Sequence, residues 1–147
     1  MPHLPHHAHR LRLGRTSEPG RLYLVTAVTL HREPVFQDLA AARVLVNTLR
    51  QEASRDQAHT WCYVVMPDHF HWLLRLNDER LEQVVGRVKS LSARKIGRRI
   101  WQKGFHDRAV REEDDLRGMA RYVIANPIRA GLVKSVGDYP HWDAVWL

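Results

Sequence analysis

One apolar run, Tyr63 to Leu74, is broken by Pro67-Asp68 and carries two histidines. Two strand-like segments with so short a turn between them pair antiparallel, because a parallel pairing needs a crossover of a dozen or more residues. The second segment opens with His69-Phe70-His71. Strand side chains alternate between faces, so the two imidazoles point the same way and Phe70 and Trp72 point the other. Burying two imidazoles with nothing to bind would be costly. On a rigid strand they form a ready-made pair of metal ligands.

The elements around this hairpin are read from periodicity. Leu22 to Leu30 is a buried strand rich in Leu, Val and Thr. Asp38 is placed to cap a helix to about Ala53, with Leu39, Ala42, Leu45, Val46 and Leu49 on one stripe. Trp61 to Met66 and His69 to Leu76 are the hairpin strands. Leu81, Val84, Val85, Val88 and Leu91 have the spacing of a second helix, and Gly104 to Val110 is a fourth strand. A third helix opens on Glu112, Glu113, Asp114 and Asp115, four acids that suit the positive end of its dipole. It runs to about Asn126, since Pro127 disfavours helical geometry in the residue before it. Ile128 to Val133 is a turn, and a tail with Trp142 and Trp146 closes the chain. Strand, helix, strand, strand, helix, strand, helix predicts an α+β fold, a ferredoxin-like antiparallel sheet packed with helices.

At 147 residues the chain is long enough for one domain. Residues 1–19 read as a flexible basic arm carrying His3, His6, His7 and His9, and residues 20–147 as a single domain. Lys and Arg number 23 against 16 Asp and Glu, a net charge of +7 that favours a polyanionic partner. The single cysteine, Cys62, leaves no intramolecular disulfide and fits a reducing cytoplasm. No stretch approaches the ~20 apolar residues of a membrane span, and the N-terminus lacks the apolar centre of a secretion signal.

Tyr122 and Asn126, four apart on the third helix, face the same way. Taken alone, Tyr122 reads as a core tyrosine with its hydroxyl at the rim and Asn126 as a helix-ending turn residue.

The segments Val65 to Leu74 and Arg121 to Val133 resemble, in order and spacing, the two signature segments of the single-tyrosine HUH transposases, the REP-associated branch in particular. The resemblance covers roughly Gly20 to Tyr139. It implies a metal-dependent single-strand DNA endonuclease and transposase of the HUH nuclease fold. In that reading His69, His71 and Asn126 hold the cation and Tyr122 is the nucleophile. The product is a 5′-phosphotyrosine and a free 3′ hydroxyl, with later rejoining. The partner it implies is single-stranded DNA beside a hairpin of REP type, met in a bacterial, nucleoid-associated setting by a monomer or homodimer. Asp68 departs from the family, which usually has Asn there.

Imidazole and amide-oxygen ligands suit Mg²⁺ or Mn²⁺. With ten His in the chain, another ligand such as His106 stays open. Arg87, Lys89, Arg94, Lys95 and Arg129 are the candidate DNA-phosphate contacts, and Trp101 and Trp142 could stack bases or pack in the core. Two other functions remain: a single-stranded nucleic-acid-binding module that does not cut, and a phosphodiesterase using water.

Overall fold

The computed structural model describes residues 17–18, 20–55, 58–111 and 116–144. The arm up to Thr16, the acidic run Glu112 to Asp115 and Trp146 lie outside the described residues. Five strands form one antiparallel sheet: β1 (Leu22–Val28), β2 (Ala58–Met66), β3 (His69–Leu76), β4 (His106–Val110) and β5 (Trp142–Ala144), in the order β4-β1-β3-β2-β5. With α1 (Leu39–Ser54) between β1 and β2, and α2 (Leu81–Ile96) between β3 and β4, the first four strands have the expected ferredoxin-like arrangement.

The sheet has two covered faces. Tyr23, Val25 and Ala27 of β1, Phe70, Trp72 and Leu74 of β3, and Tyr63 and Val65 of β2 share a core with Leu45 and Leu49 of α1 and Val84, Val85 and Val88 of α2. On the reverse, Leu24, Leu73, Cys62 and Val64 pack with Met119, Ala120, Val123 and Ile124 of α3 (Leu116–Ile124). His69 and His71 alternate with Phe70 and Trp72, so they lie on the α3 face.

Asp38 caps α1 as expected, its Oδ1 accepting from the Ala40 amide at 2.8 Å. The departures have local causes. β1 ends at Val28, and beyond it Thr29 forms only an isolated antiparallel bridge with Trp101 while its amide donates to the turn carbonyl of Asp68 (2.9 Å). β2 starts at Ala58 and carries a bulge between Thr60 and Cys62. The extra residue turns Thr60 toward Trp72, whose buried indole N–H it accepts at 3.0 Å. β4 starts at His106, two residues after the expected Gly104, which has φ +76°. β5 was hidden in the Trp-containing tail, since three residues give too short a pattern to read.

The third helix also differs from expectation. It breaks after Ile124, and Asn126 opens a separate helical turn, α4 (Asn126–Arg129). Pro127 sits in the first turn of α4, where its missing N–H costs no hydrogen bond, so Asn126 remains helical.

Candidate active site

Strand pairing sets out the site row by row. His71 of β3 faces Thr26 of β1 on one side and Val64 of β2 on the other. Thr26 in turn faces His106 of β4, and Val64 faces Trp142 of β5. Directly opposed residues share a face, so His106, Thr26, His71, Val64 and Trp142 form one transverse row under α3. His69 is one step along, flanked by Val28 and Met66.

The His69 and His71 rings stand 4.9 Å apart at 79°. Each has its Nδ1 engaged. Nδ1 of His69 lies 2.7 Å from Oδ1 of Asp68, an acceptor-only carboxylate, so this nitrogen carries the proton and donates. Nε2 then keeps its lone pair. Nδ1 of His71 lies 2.8 Å from Oγ1 of Thr26. When the hydroxyl accepts, Nε2 of His71 also keeps its lone pair. A ligand imidazole held through its other nitrogen is the usual support of a metal site.

The electrostatics keep both rings neutral. Burial lowers the His69 pKa, opposed in part by Asp68. His71 is pushed down to about 3, by burial first and then by the charges of His69 and Arg129. Burial pushes the Asp68 carboxyl up, but bonds from His69 and from Arg32 (Nη1–Oδ2, 3.3 Å) outweigh it and hold the carboxyl below its ordinary value. Neutral imidazole is the form that binds a cation.

Tyr122 is half-buried on α3, the helix over the histidine face. The Arg129 guanidinium, from α4, lies 3.4 Å from the centroid of its ring. The Arg129 charge is among the causes that lower the His71 pKa. Asn126, half-buried, opens the same short helix three residues earlier.

The remaining candidates lie elsewhere. Asp68 is engaged with Nδ1 of His69. His106 is separated from His71 by β1, about 10 Å at the usual strand spacing. Among the described residues no three or more His, Cys, Asp or Glu are grouped to hold a cation, so His106 does not complete a histidine cluster. The donor set on this face fits a divalent ion needing two imidazoles and further oxygen ligands, as Mg²⁺ and Mn²⁺ take them.

Arg87, Lys89, Arg94 and Lys95 are on α2, across the sheet from the histidines. Arg87 is held by Glu52 (2.7 and 2.8 Å) and by Glu79 (2.6 and 3.1 Å). The Lys89 ammonium donates to the carbonyls of Gln102 (2.8 Å) and Gly104 (2.6 Å), and burial pushes its pKa down to about 8. Trp101 is a core residue, donating to Ser92 at 3.0 Å and packed on Phe36 and Phe70. Trp142 is half-buried and donates to the Val136 carbonyl at 3.0 Å.

Thr26 and Arg32 were not visible as site residues from the sequence. Alternation along β1 could have put Thr26 on the histidine face, but only the pairing register sets it against His71.

A ferredoxin-like sheet with paired histidines on its central strand, beneath a helix carrying a tyrosine, is an HUH-type domain. Residues 21–123 match the family described as "Transposase IS200 like", and the chain belongs to that family.

The chain is 33% identical over 81 residues to a REP-associated tyrosine transposase of Escherichia coli strain K12, covering 53% of this chain and 49% of that protein. It is 27% identical over 94 residues to a candidate REP-associated tyrosine transposase of Haemophilus influenzae, covering 52% and 53%. The matched region thus spans about half the length of these curated relatives. Its fold matches the structure of a REP-associated tyrosine transposase bound to a REP hairpin, with TM-score 0.77, 23% identity, and 89% of this chain and 81% of that chain covered. No helix among the described residues is long and apolar enough to cross a membrane.

Proposed function

We propose that this chain nicks and rejoins single-stranded DNA through a tyrosine nucleophile in a metal-dependent site. The supporting observation is the pair of imidazoles with both Nδ1 atoms engaged, on the face covered by the helix of Tyr122. A divalent cation, Mg²⁺ or Mn²⁺, held by His69, His71 and Asn126, would polarise the scissile phosphate and offset its developing charge.

The Tyr122 hydroxyl loses its proton and its oxygen attacks phosphorus. The bond from phosphorus to the 3′ oxygen breaks, and that oxygen leaves as a 3′ hydroxyl after taking up a proton. The strand is left as a 5′-phosphotyrosine, which conserves the phosphodiester for attack by a 3′ hydroxyl when strands rejoin. A free phenol has a pKa of about 10, so its ionisation needs help. The Arg129 guanidinium packed on the ring would hold the phenol in place, and its charge suits it to contact a phosphate.

Single-stranded DNA beside a hairpin is the substrate class this reading assigns, supported by the likeness to a structure bound to a REP hairpin. Arg129 is the phosphate contact on the histidine side. The exposed Arg94 and Lys95 would meet DNA only where it wraps to α2. Arg87 and Lys89 are already engaged on the α2 side, by Glu52 and by the Gly104 carbonyl.

The test is to incubate the protein with end-labelled single-stranded DNA and Mn²⁺, then boil in SDS. The reading expects a covalent adduct that disappears in Tyr122→Phe. Cleavage without an adduct would make water the nucleophile, and retention without cleavage would leave a binding module.

A further inference from the structure

The turn that carries His69 is gripped by residues 29–36. The Thr29 amide donates to the Asp68 carbonyl (2.9 Å), its hydroxyl lies within reach of the Glu33 (2.8 Å) and Asp68 (3.0 Å) carbonyls, and the Phe36 amide donates to the Pro67 carbonyl (2.9 Å). Between these anchors His31 and Arg32 both have φ of +55°, left-handed values that side-chain-bearing residues seldom adopt. That conformation accompanies an Arg32 guanidinium aimed at Oδ2 of Asp68, 3.3 Å away, while Oδ1 of the same carboxylate faces Nδ1 of His69 at 2.7 Å.

Stability does not account for this arrangement. The Arg32 side chain is 66% exposed, and a pair so open to water contributes little to folding. The turn is already fastened through its backbone by Thr29 and Phe36. The Arg32–Asp68 pair adds a fixed orientation of the carboxylate.

We propose that Asp68 and Arg32 are positioning residues for a divalent-cation site. Arg32 occupies one carboxylate oxygen, so the other is presented to Nδ1 of His69. The proton is kept there, Nε2 is left as the ligand atom, and the carboxylate stays out of the cation's own ligand set. Asp68 thereby acts through the imidazole. This inference rests on the reading of His69 and His71 as ligands.

Mn²⁺ binding to the full chain without DNA, followed by the electron paramagnetic resonance signal of the free ion, tests it. Asp68→Asn keeps an acceptor oxygen beside His69 but removes the charge. It is expected to weaken Mn²⁺ binding about tenfold, within the 10- to 100-fold cost of losing a partner behind a metal ligand. Arg32→Ala shifts affinity in the same direction. The double variant binds no more weakly than Asp68→Asn, because Arg32 works through Asp68. Excess Mn²⁺ restores adduct formation in both single variants, and melting temperatures stay close to wild type.

Wild-type Mn²⁺ affinity in Asp68→Asn would overturn the inference, as would additive effects in the double variant or a wild type that binds no Mn²⁺. A wild type that binds Mn²⁺ through His69 but forms no adduct would overturn the cleavage reading alone.

Discussion

The guanidinium carbon of Arg129 lies 3.4 Å from the centroid of the Tyr122 ring. The two residues are seven apart, about two helical turns, and sit on either side of the break after Ile124. The arginine reaches back over the tyrosine and fixes the plane of the proposed nucleophile. Stacking of this kind contributes ~0.5–2 kcal/mol, so Arg129→Gln should slow adduct formation at saturating DNA by roughly 2- to 30-fold. Arg129→Lys should recover only part of the rate, because an ammonium cannot stack as a planar guanidinium does. Time courses of adduct formation decide the matter, and an unchanged rate in Arg129→Gln would detach the arginine from Tyr122.

His69→Ala removes one imidazole of the 4.9 Å pair. Cleavage should be abolished, while DNA affinity should stay within about tenfold of wild type, because phosphate contacts dominate binding. Filter binding and nicking assays on the same preparation separate the two. Collapse of binding in a folded variant would make the cation structural or substrate-bridging.

Glu52 is 2% exposed and is held by Arg87, itself 22% exposed. Arg87→Ala leaves that carboxylate only the longer pair with Arg55 (3.8 Å). The expected cost is about 3 kcal/mol, the low end for breaking a buried pair because Arg87 keeps some water contact. For a domain of this size that lowers the melting temperature by roughly 6–12 °C. Affinity for DNA, measured well below the transition, should not change. A clear loss of affinity there would return Arg87 to the phosphate contacts.

The His71 pKa fixes a sign for acid stability. Burial in the folded protein pushes it down to about 3 from an ordinary value of 6.5. Between those values the unfolded chain binds more protons than the folded one, so stability falls as pH drops through that window. Above pH 6.5 this contribution is fully present. His71→Gln should flatten the acid side of a denaturation series recorded in EDTA. An equal slope in wild type and variant would show that other groups control it.

The hairpin and its two imidazoles were legible because they depend on neighbours in sequence. Pro67-Asp68 dictates the turn, and alternation dictates the face. The ferredoxin-like order followed from the same periodicities. The partners of the α2 cations were not legible, for a physical reason. A helical pattern shows that Arg87 is off the apolar stripe, but it carries no sign that Glu52, 35 residues earlier, will meet it. Nor does it say which sheet face α2 covers. The division after Ile124 was equally hidden, because a proline that ends one helix can also begin the next.

The hairpin leaves no slack between Met66 and His69, which oppose each other across a two-residue turn. Sliding β3 by a single position would put Phe70 and Trp72 under α3 and drive both imidazoles among the aliphatic side chains of α1 and α2. One residue inserted at Pro67 or deleted from it would therefore erase the centre without altering any residue in it. The spacing of that turn is as much a determinant of the chemistry as the histidines themselves.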